Sequence, residues 1–222
     1  MRKLTGAVFQ SLDGVMQAPG GPEEDTSGSF TSGGWVFHFF DESMAGPATK
    51  LFHETEYDLL LGRRTYDIFA AYWPYNQEDP IGAKFQRINK YVLTDRDEPL
   101  AWENSSKLSG DTAAVVDELK RSEGPDLLIQ GSSSLYPPLL SAGLIDKLVL
   151  MTFPLFLGQG KSIFDESLKP ARMKLTDHFV SNSGVILATY EPAGEIPTGT
   201  FASKDPSEAE LVRRERMREG CW

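Results

Sequence analysis

Leu59-Leu60-Leu61-Gly62-Arg63-Arg64-Thr65-Tyr66 is a short apolar run that ends in glycine and opens into a helical pattern. A run this short and this apolar reads as a strand buried on both faces. Glycine at its carboxyl end lets the backbone turn sharply, and the free N–H groups of the following helix then favour an anion. An arginine beside such a turn can pair bidentately with a phosphate, and two in a row suit a ligand with more than one phosphate. A helix start with two surface arginines is the plainer reading of the same residues.

The arrangement recurs. In Leu127-Leu128-Ile129-Gln130-Gly131-Ser132-Ser133-Ser134-Leu135-Tyr136 an apolar strand again ends in glycine and opens a helix. Gly131 permits close backbone approach, and three serines supply donors for phosphate oxygens; the plain alternative is a polar N-cap cluster. It is neither a G-x-G-x-x-G fingerprint nor a P-loop. Tyr91-Val92-Leu93-Thr94-Asp95-Arg96 sets Thr and Arg at a third strand end, bordering an adenine-ribose pocket or simply closing a strand. Three strands with Gly, Thr, Ser or Arg at their carboxyl ends define one edge, and open α/β sheets bind ligands at that edge.

Strand patterns also fall at 4–9, 57–61, 90–94, 126–130, 147–153, 175–180 and 185–190. Helical patterns cover 43–54, 64–72, 111–121 and 133–141. Asp111 is placed to cap the third, and Pro137-Pro138 must lie in the first turn of the fourth or kink it. This alternation predicts an α/β fold with a mixed, mostly parallel central sheet and helices on both faces. Ser181-Asn182-Ser183-Gly184 is turn chemistry, so the last two strands are expected to form a C-terminal antiparallel hairpin.

The chain has 222 residues, 40% apolar and 24% charged, with a net charge of −10; this is the profile of a folded protein with a sizeable core. The acidity argues against a nucleic-acid surface, which needs clustered Lys and Arg, and otherwise serves solubility. Residues 144–157 are the most apolar stretch, but Asp146, Lys147 and Pro154 break it, so no membrane span is expected. The stretch is either an internal strand or the shared face of a homodimer. No apolar segment follows the basic N-terminus, and the single cysteine, Cys221, cannot form an internal disulfide; a cytoplasmic location is consistent with both.

Two segments stand outside the alternation. Residues 17–34 are rich in Gly, Pro, Ser and Thr, with Glu23, Glu24 and Asp25 in their middle; a loop this long is functional or disordered. After residue 191 the composition shifts to a linker, and Asp205-Pro206-Ser207-Glu208 then reads as the start of a charged helix, with Asp205 capping. The expected division is a domain over 1–191 and a linker with a helical tail over 192–222, either a solvated appendage or a docking arm.

Val8-Phe9-Gln10-Ser11-Leu12-Asp13-Gly14-Val15 carries the first strand into the long loop. Asp13-Gly14 is a ready turn, and Ser11 to Val15 would equally serve as a mobile flap over a reacting ring. With this stretch the motif order resembles the reductase domain of riboflavin biosynthesis and the dihydrofolate reductase superfamily. The resemblance runs through Gly33-Gly34-Trp35, Gly62-Arg63-Arg64-Thr65-Tyr66, Gln130-Gly131-Ser132-Ser133-Ser134-Leu135, Gly143-Leu144-Ile145-Asp146-Lys147-Leu148 and Pro154 to Phe164. It implies a dihydrofolate reductase-like fold, NADPH as cofactor, hydride transfer to a small planar heterocycle of pyrimidine or pterin type, and a homodimer. By the same resemblance, Gly62, Arg63, Arg64 and Thr65 hold the cofactor phosphates, and Leu93 and Thr94 flank the adenosine. Gln130, Gly131, Ser132, Ser133, Ser134 and Leu135 face the pyrophosphate and nicotinamide ribose. Ser11, Leu12, Asp13, Gly14 and Val15 approach the nicotinamide, with Trp35 on the substrate side. Ser132 stands where dihydrofolate reductases carry a second glycine, which favours the riboflavin-type relatives. The alternatives are a nucleotide-binding module of the same fold without the chemistry, and an assembly protein that uses the tail helix.

Hydride transfer to a C=N or C=O group needs a proton for the partner atom, from a carboxyl or a water held by one. Dihydrofolate reductases carry an acid near the start of the first helix, and the matching residue is Asp41, beside Glu42. Flanked by Phe37, Phe39 and Phe40, its pKa would rise through burial; as a helix-start aspartate it would equally serve as a cap. Trp35 and these three phenylalanines are read as core packing or as a stacking platform for a planar ring. His38, His53 and His178 lack zincin spacing and there is no Cys-x-x-Cys, so no metal is expected. The absence of a Gly-x-Ser-x-Gly elbow sets a hydrolase aside.

Overall fold

The computed structural model of the chain describes residues 1–221. Among them, one sheet is built from β1 (Leu4–Ser11), β2 (Tyr57–Gly62), β3 (Lys90–Leu93), β4 (Ser105–Leu108), β5 (Asp126–Gly131), β6 (Lys147–Phe153), β7 (Met173–Val180) and β8 (Ile186–Pro192). The order across it is β4-β3-β2-β5-β1-β6-β8-β7. Pairs among the first six strands are parallel, and β8 runs antiparallel to both β6 and β7. The helices are α1 (Glu42–Thr49), α2 (Arg63–Tyr72), α3 (Pro80–Arg87), α4 (Thr112–Arg121), α5 (Tyr136–Ser141) and α6 (Glu208–Arg218). This is the mixed, mostly parallel sheet that the alternation predicts.

Strand periodicity explains why the sheet is covered twice. Every residue of β2 is buried, as in a central strand of a doubly covered sheet. Successive side chains alternate faces. Leu59 and Leu61 pack with Met44 of α1, Tyr66 of α2 and Phe85 of α3, whereas Leu60 packs with Val116 of α4 and Tyr136 and Leu139 of α5. Each fully buried leucine contributes about 1.5–3 kcal/mol of transfer free energy. Below the strands, Arg2 donates to Asp58 Oδ2 at 2.6 Å with both side chains buried, and Asp58 Oδ1 also accepts from Asn89 N at 3.0 Å. The buried charge is therefore paired and hydrogen-bonded, the condition under which such a pair persists.

Several elements differ from the sequence expectation. β4, Ser-Ser-Lys-Leu, lies at an edge and lacks apolar alternation because it needs none. α3 starts with Asp79 accepting from Ile81 N and Pro80 in the first turn, a cap-and-proline start over a stretch too short to show a periodic apolar stripe. α1 does not continue regularly to Glu54; after Pro47 the chain widens into a π-helical turn over Lys50–Glu54. Ser207, not Asp205, caps α6 by accepting from Glu210 N at 3.3 Å. Residues 144–157 supply β6, an internal strand whose two edges are paired with β1 and β8. α6 has no buried residue, and no helix of the described residues is long and apolar enough to cross a membrane.

Candidate functional site

β2 continues through α2 on one face toward β3, and β5 continues through α5 on the other face toward β6. The crevice between their carboxyl ends is thus the point where the winding reverses, the general location of ligand sites in such sheets. A cleft of about 740 Å³ opens there, within the range of small-molecule sites.

Gly62 lines its floor, and Gly131 packs behind it. A Cβ on Gly62 would lie 2.5 Å from Ser132 Oγ, and one on Gly131 would lie 2.5 Å from Thr65 Oγ1. Only glycine lets the two chain turns approach this closely. Across the seam Thr65 Oγ1 and Ser132 Oγ hydrogen-bond at 3.1 Å, and the Gly131–Ser132 peptide is cis. Gly62 also occupies the N-cap of α2, so no side-chain oxygen satisfies that helix start. Its N–H groups therefore favour an anion. The β2–β5 register shifts so that Leu60 faces Ile129 and Leu61 faces Gly131. Gln130 is the bulged residue and lines the cleft; bulges commonly re-aim a side chain beside a site.

Of the residues assigned to the cofactor by resemblance, Gly62, Arg63, Arg64, Thr65, Leu93, Gln130, Ser132, Ser133, Ser134 and Leu135 all line this one cleft. Thr94 and Gly131 do not. Thr94 is buried and its Oγ1 accepts from Arg96 N at 3.1 Å, while Gly131 packs against Thr65. Both arginines already have protein partners. Arg63 donates to Asp67 at 2.7 Å and to Glu98 O at 2.9 Å. Arg64 donates to Asp25 at 3.1 Å and to Ser27 Oγ at 2.5 Å.

Asp25 ties the 17–34 loop to the cleft. Its carboxylate accepts from Arg64, Lys161 and Ser27, with only 11% of its side chain exposed. Burial pushes its pKa up, but the bonds from Lys161, Ser27 and Arg64 outweigh it and hold the group well below the usual carboxylate range. Glu24, next to it, also lines the cleft. Its Oε2 accepts from Gly20 N at 2.6 Å and Gly21 N at 3.1 Å, yet desolvation dominates and raises its pKa above the ordinary glutamate value.

The Ser11 to Val15 segment forms a hydrogen-bonded turn, and none of its five residues lines the cleft. Ser11 Oγ accepts from Val15 N at 2.9 Å, Asp13 accepts from Gly158 N at 2.6 Å, and Val15 bridges to Ser162. The wall expected from this turn is supplied by Met16 to Gly20 just beyond it. Trp35 donates from Nε1 to Gln17 O at 2.8 Å and meets Phe153 edge-on, with ring centroids 5.2 Å apart. It buttresses that wall from outside the cleft lining, where its neighbour Val36 stands. Phe39 joins the core, Phe40 lines the cleft and Phe37 is exposed, so the aromatic cluster is split among three environments.

Asp41 differs from the expectation of a raised pKa. It caps α1, with Oδ1 accepting from Ser43 N at 2.8 Å, and its Oδ2 accepts from Ser183 N at 2.7 Å. The Ser43 hydroxyl, with the other donors, lowers its pKa against the opposing effect of burial. It joins α1 to the β7–β8 turn and is not in the cleft lining. Among the described residues no cluster of His, Cys, Asp and Glu is arranged to hold a metal ion.

Sequence reasoning missed Glu24, Asp25 and Lys161 as cleft residues, whereas Arg96, read at the third strand end, does line the cleft. The signals were the acidic centre of a long loop and a lysine in the Gly160-Lys161-Ser162 stretch.

Sheet order, switch-point cleft and glycine seam define an α/β protein of the dihydrofolate reductase-like class. Within it, the RibD C-terminal domain family matches residues 2–187, and the chain belongs to that family. A putative riboflavin biosynthesis protein from Shewanella sp. PV-4 superposes with a TM-score of 0.65 at 20% identity, over 87% of this chain and 100% of that one. A dihydrofolate reductase from Enterococcus faecalis, complexed with NADP(H), superposes with a TM-score of 0.55 at 18% identity, over 86% and 97%. In sequence the chain is 26% identical over 137 residues to uncharacterized protein YyaP of Bacillus subtilis (strain 168), covering 60% of this chain and 72% of that one. Family and fold together point to a reductase-type enzyme family.

Proposed function

We propose that the chain is an NADPH-dependent reductase of a small planar heterocycle, pyrimidine- or pterin-like. The observation that carries this reading is the charge of the cleft. Arg63, Arg64, Arg96 and Lys161 line it against Glu24 and Asp25, in a chain whose net charge is −10. A cationic cleft on an acidic protein focuses field toward an anionic ligand.

The donor set fits NADPH. The side-chain-free start of α2 and the hydroxyls of Thr65, Ser132, Ser133 and Ser134 suit a pyrophosphate, and the guanidinium groups suit a 2′-phosphate. Bound there, the cofactor would supply hydride. Ala18, Val36 and Phe40 offer an apolar wall for a planar ring and would exclude water from it. The test is NADPH oxidation with 7,8-dihydropterin and with a ribosylamino-pyrimidine, where saturable turnover with one of them is expected. Tight NADPH binding with no turnover on any pterin or ribosylamino-pyrimidine would instead favour a binding module.

A further inference from the structure

We propose that Glu24 is the proton donor of this cleft, touching the bound heterocycle and protonating the heteroatom beside the carbon that is reduced. The role rests on the reductase reading above and adds to it a residue from the long loop. Three observations converge. First, the loop is anchored where it matters: Asp25 accepts from Arg64 at the start of α2 and from Lys161 after β6, which fixes the adjacent residue at the cleft. Second, Glu24 lines the cleft together with the apolar residues Ala18, Val36 and Phe40. Third, Gly20 N and Gly21 N both donate to Oε2, which orients the carboxyl, and Oε1 has no hydrogen bond from the described residues.

The environment also sets the protonation state. Removal from water raises the Glu24 pKa, the two glycine N–H groups oppose the rise, and the Asp25 charge adds to it. The charge that acts on it is that of Asp25 in its own loop, and Arg64 on α2 and Lys161 beyond β6 are paired with Asp25. Asp25 is the other carboxyl of the cleft lining, and its two cations keep it ionised. Asp41 is outside the lining and is likewise held ionised. A donor acid must carry a proton near the working pH, and Glu24 alone of the three is shifted that way.

When bound, a reduced nicotinamide would supply the hydride, two electrons with one hydrogen, to the electrophilic carbon of the C=N or C=O group and would be left oxidised. Glu24 gives its proton to the nitrogen or oxygen that takes the displaced π pair, and regains one from solvent.

The test joins a carboxyl titration to kinetics. In cofactor-free protein labelled with 13C-glutamate, the resonance lost in Glu24→Gln is expected to titrate above the ordinary glutamate range and to shift on addition of 7,8-dihydropterin. With NADPH and 7,8-dihydropterin, Glu24→Gln is expected to lower kcat by about 10²–10⁴-fold, with the Kd for NADPH unchanged. Wild-type protein that does not bind NADPH overturns the reductase reading and this role together. Wild-type protein that binds NADPH, with a Glu24 resonance titrating at or below the ordinary range or with Glu24→Gln turning over at the wild-type rate, overturns the Glu24 role alone. If wild-type protein binds NADPH but turns over no dihydropterin, the titration and the shift decide the matter.

Discussion

At the scale of single residues, Gly62 and Gly131 hold the candidate site to its dimensions. Both were legible as glycines at strand ends, and their use there as close-approach residues follows from chain turns alone. Their partner was not legible, because each would collide with a residue beside the other glycine, Ser132 and Thr65. Gly131→Ala is therefore expected to push Thr65 away, break the Thr65–Ser132 hydrogen bond and spread the ends of β2 and β5. The cost is about 1–3 kcal/mol, as for overpacking elsewhere, read as a lower urea midpoint with an unchanged m-value and accompanied by weaker NADPH binding. A variant as stable as wild type would show that the seam yields freely. Asp41 teaches a related lesson. Its cap bond from Ser43 was readable from local sequence, but its second bond goes to Ser183, 142 residues away, so only part of the donor set that lowers its pKa could be seen.

At the scale of elements, the 17–34 loop shows how composition marks a segment without assigning its contacts. Its Gly, Pro and acidic content set it apart, yet Asp25 finds Lys161 at a separation of 136 residues. Hydrogen bonds to charged groups contribute roughly 1.5–3 kcal/mol each. Arg64 is 47% exposed and Lys161 35%, so water softens the loss of their partner. Asp25→Asn is expected to destabilise the protein by about 1–3 kcal/mol at neutral pH. Because the folded pKa of Asp25 is lowered, its contribution is complete above the unfolded carboxylate value, about 3.9. It is lost as the pH falls through the lower folded value. The gap between wild type and variant, followed by denaturant unfolding against pH, should be constant at neutral pH and close only in acid. A gap that persists undiminished at the lowest folded pH would place its origin in packing. β4 and α3 were missed for the complementary reason: an exposed edge strand and a two-turn helix carry too few apolar positions to show a period.

At the scale of the molecule, the sheet class was legible because β2, β5 and β6 are apolar runs whose length and punctuation leave few alternatives. The insertion of β8 between β6 and β7 was not, since a hairpin read locally does not say which of its strands faces the parallel sheet. Charge distribution, too, emerges only in three dimensions. A sum of −10 conceals a cleft lined by four cations and two acids.

That asymmetry is the basis of the proposed NADPH recognition, and a paired titration of NADPH and NADH against wild-type, Arg63→Ala and Arg64→Ala protein tests it most directly. NADPH is expected to bind more tightly than NADH, and each substitution is expected to weaken NADPH by about 10–100-fold, the worth of a charge-assisted bond, while leaving NADH nearly unaffected. Equal affinity for the two cofactors, or equal losses for both in the variants, would contradict the phosphate role of this arginine pair.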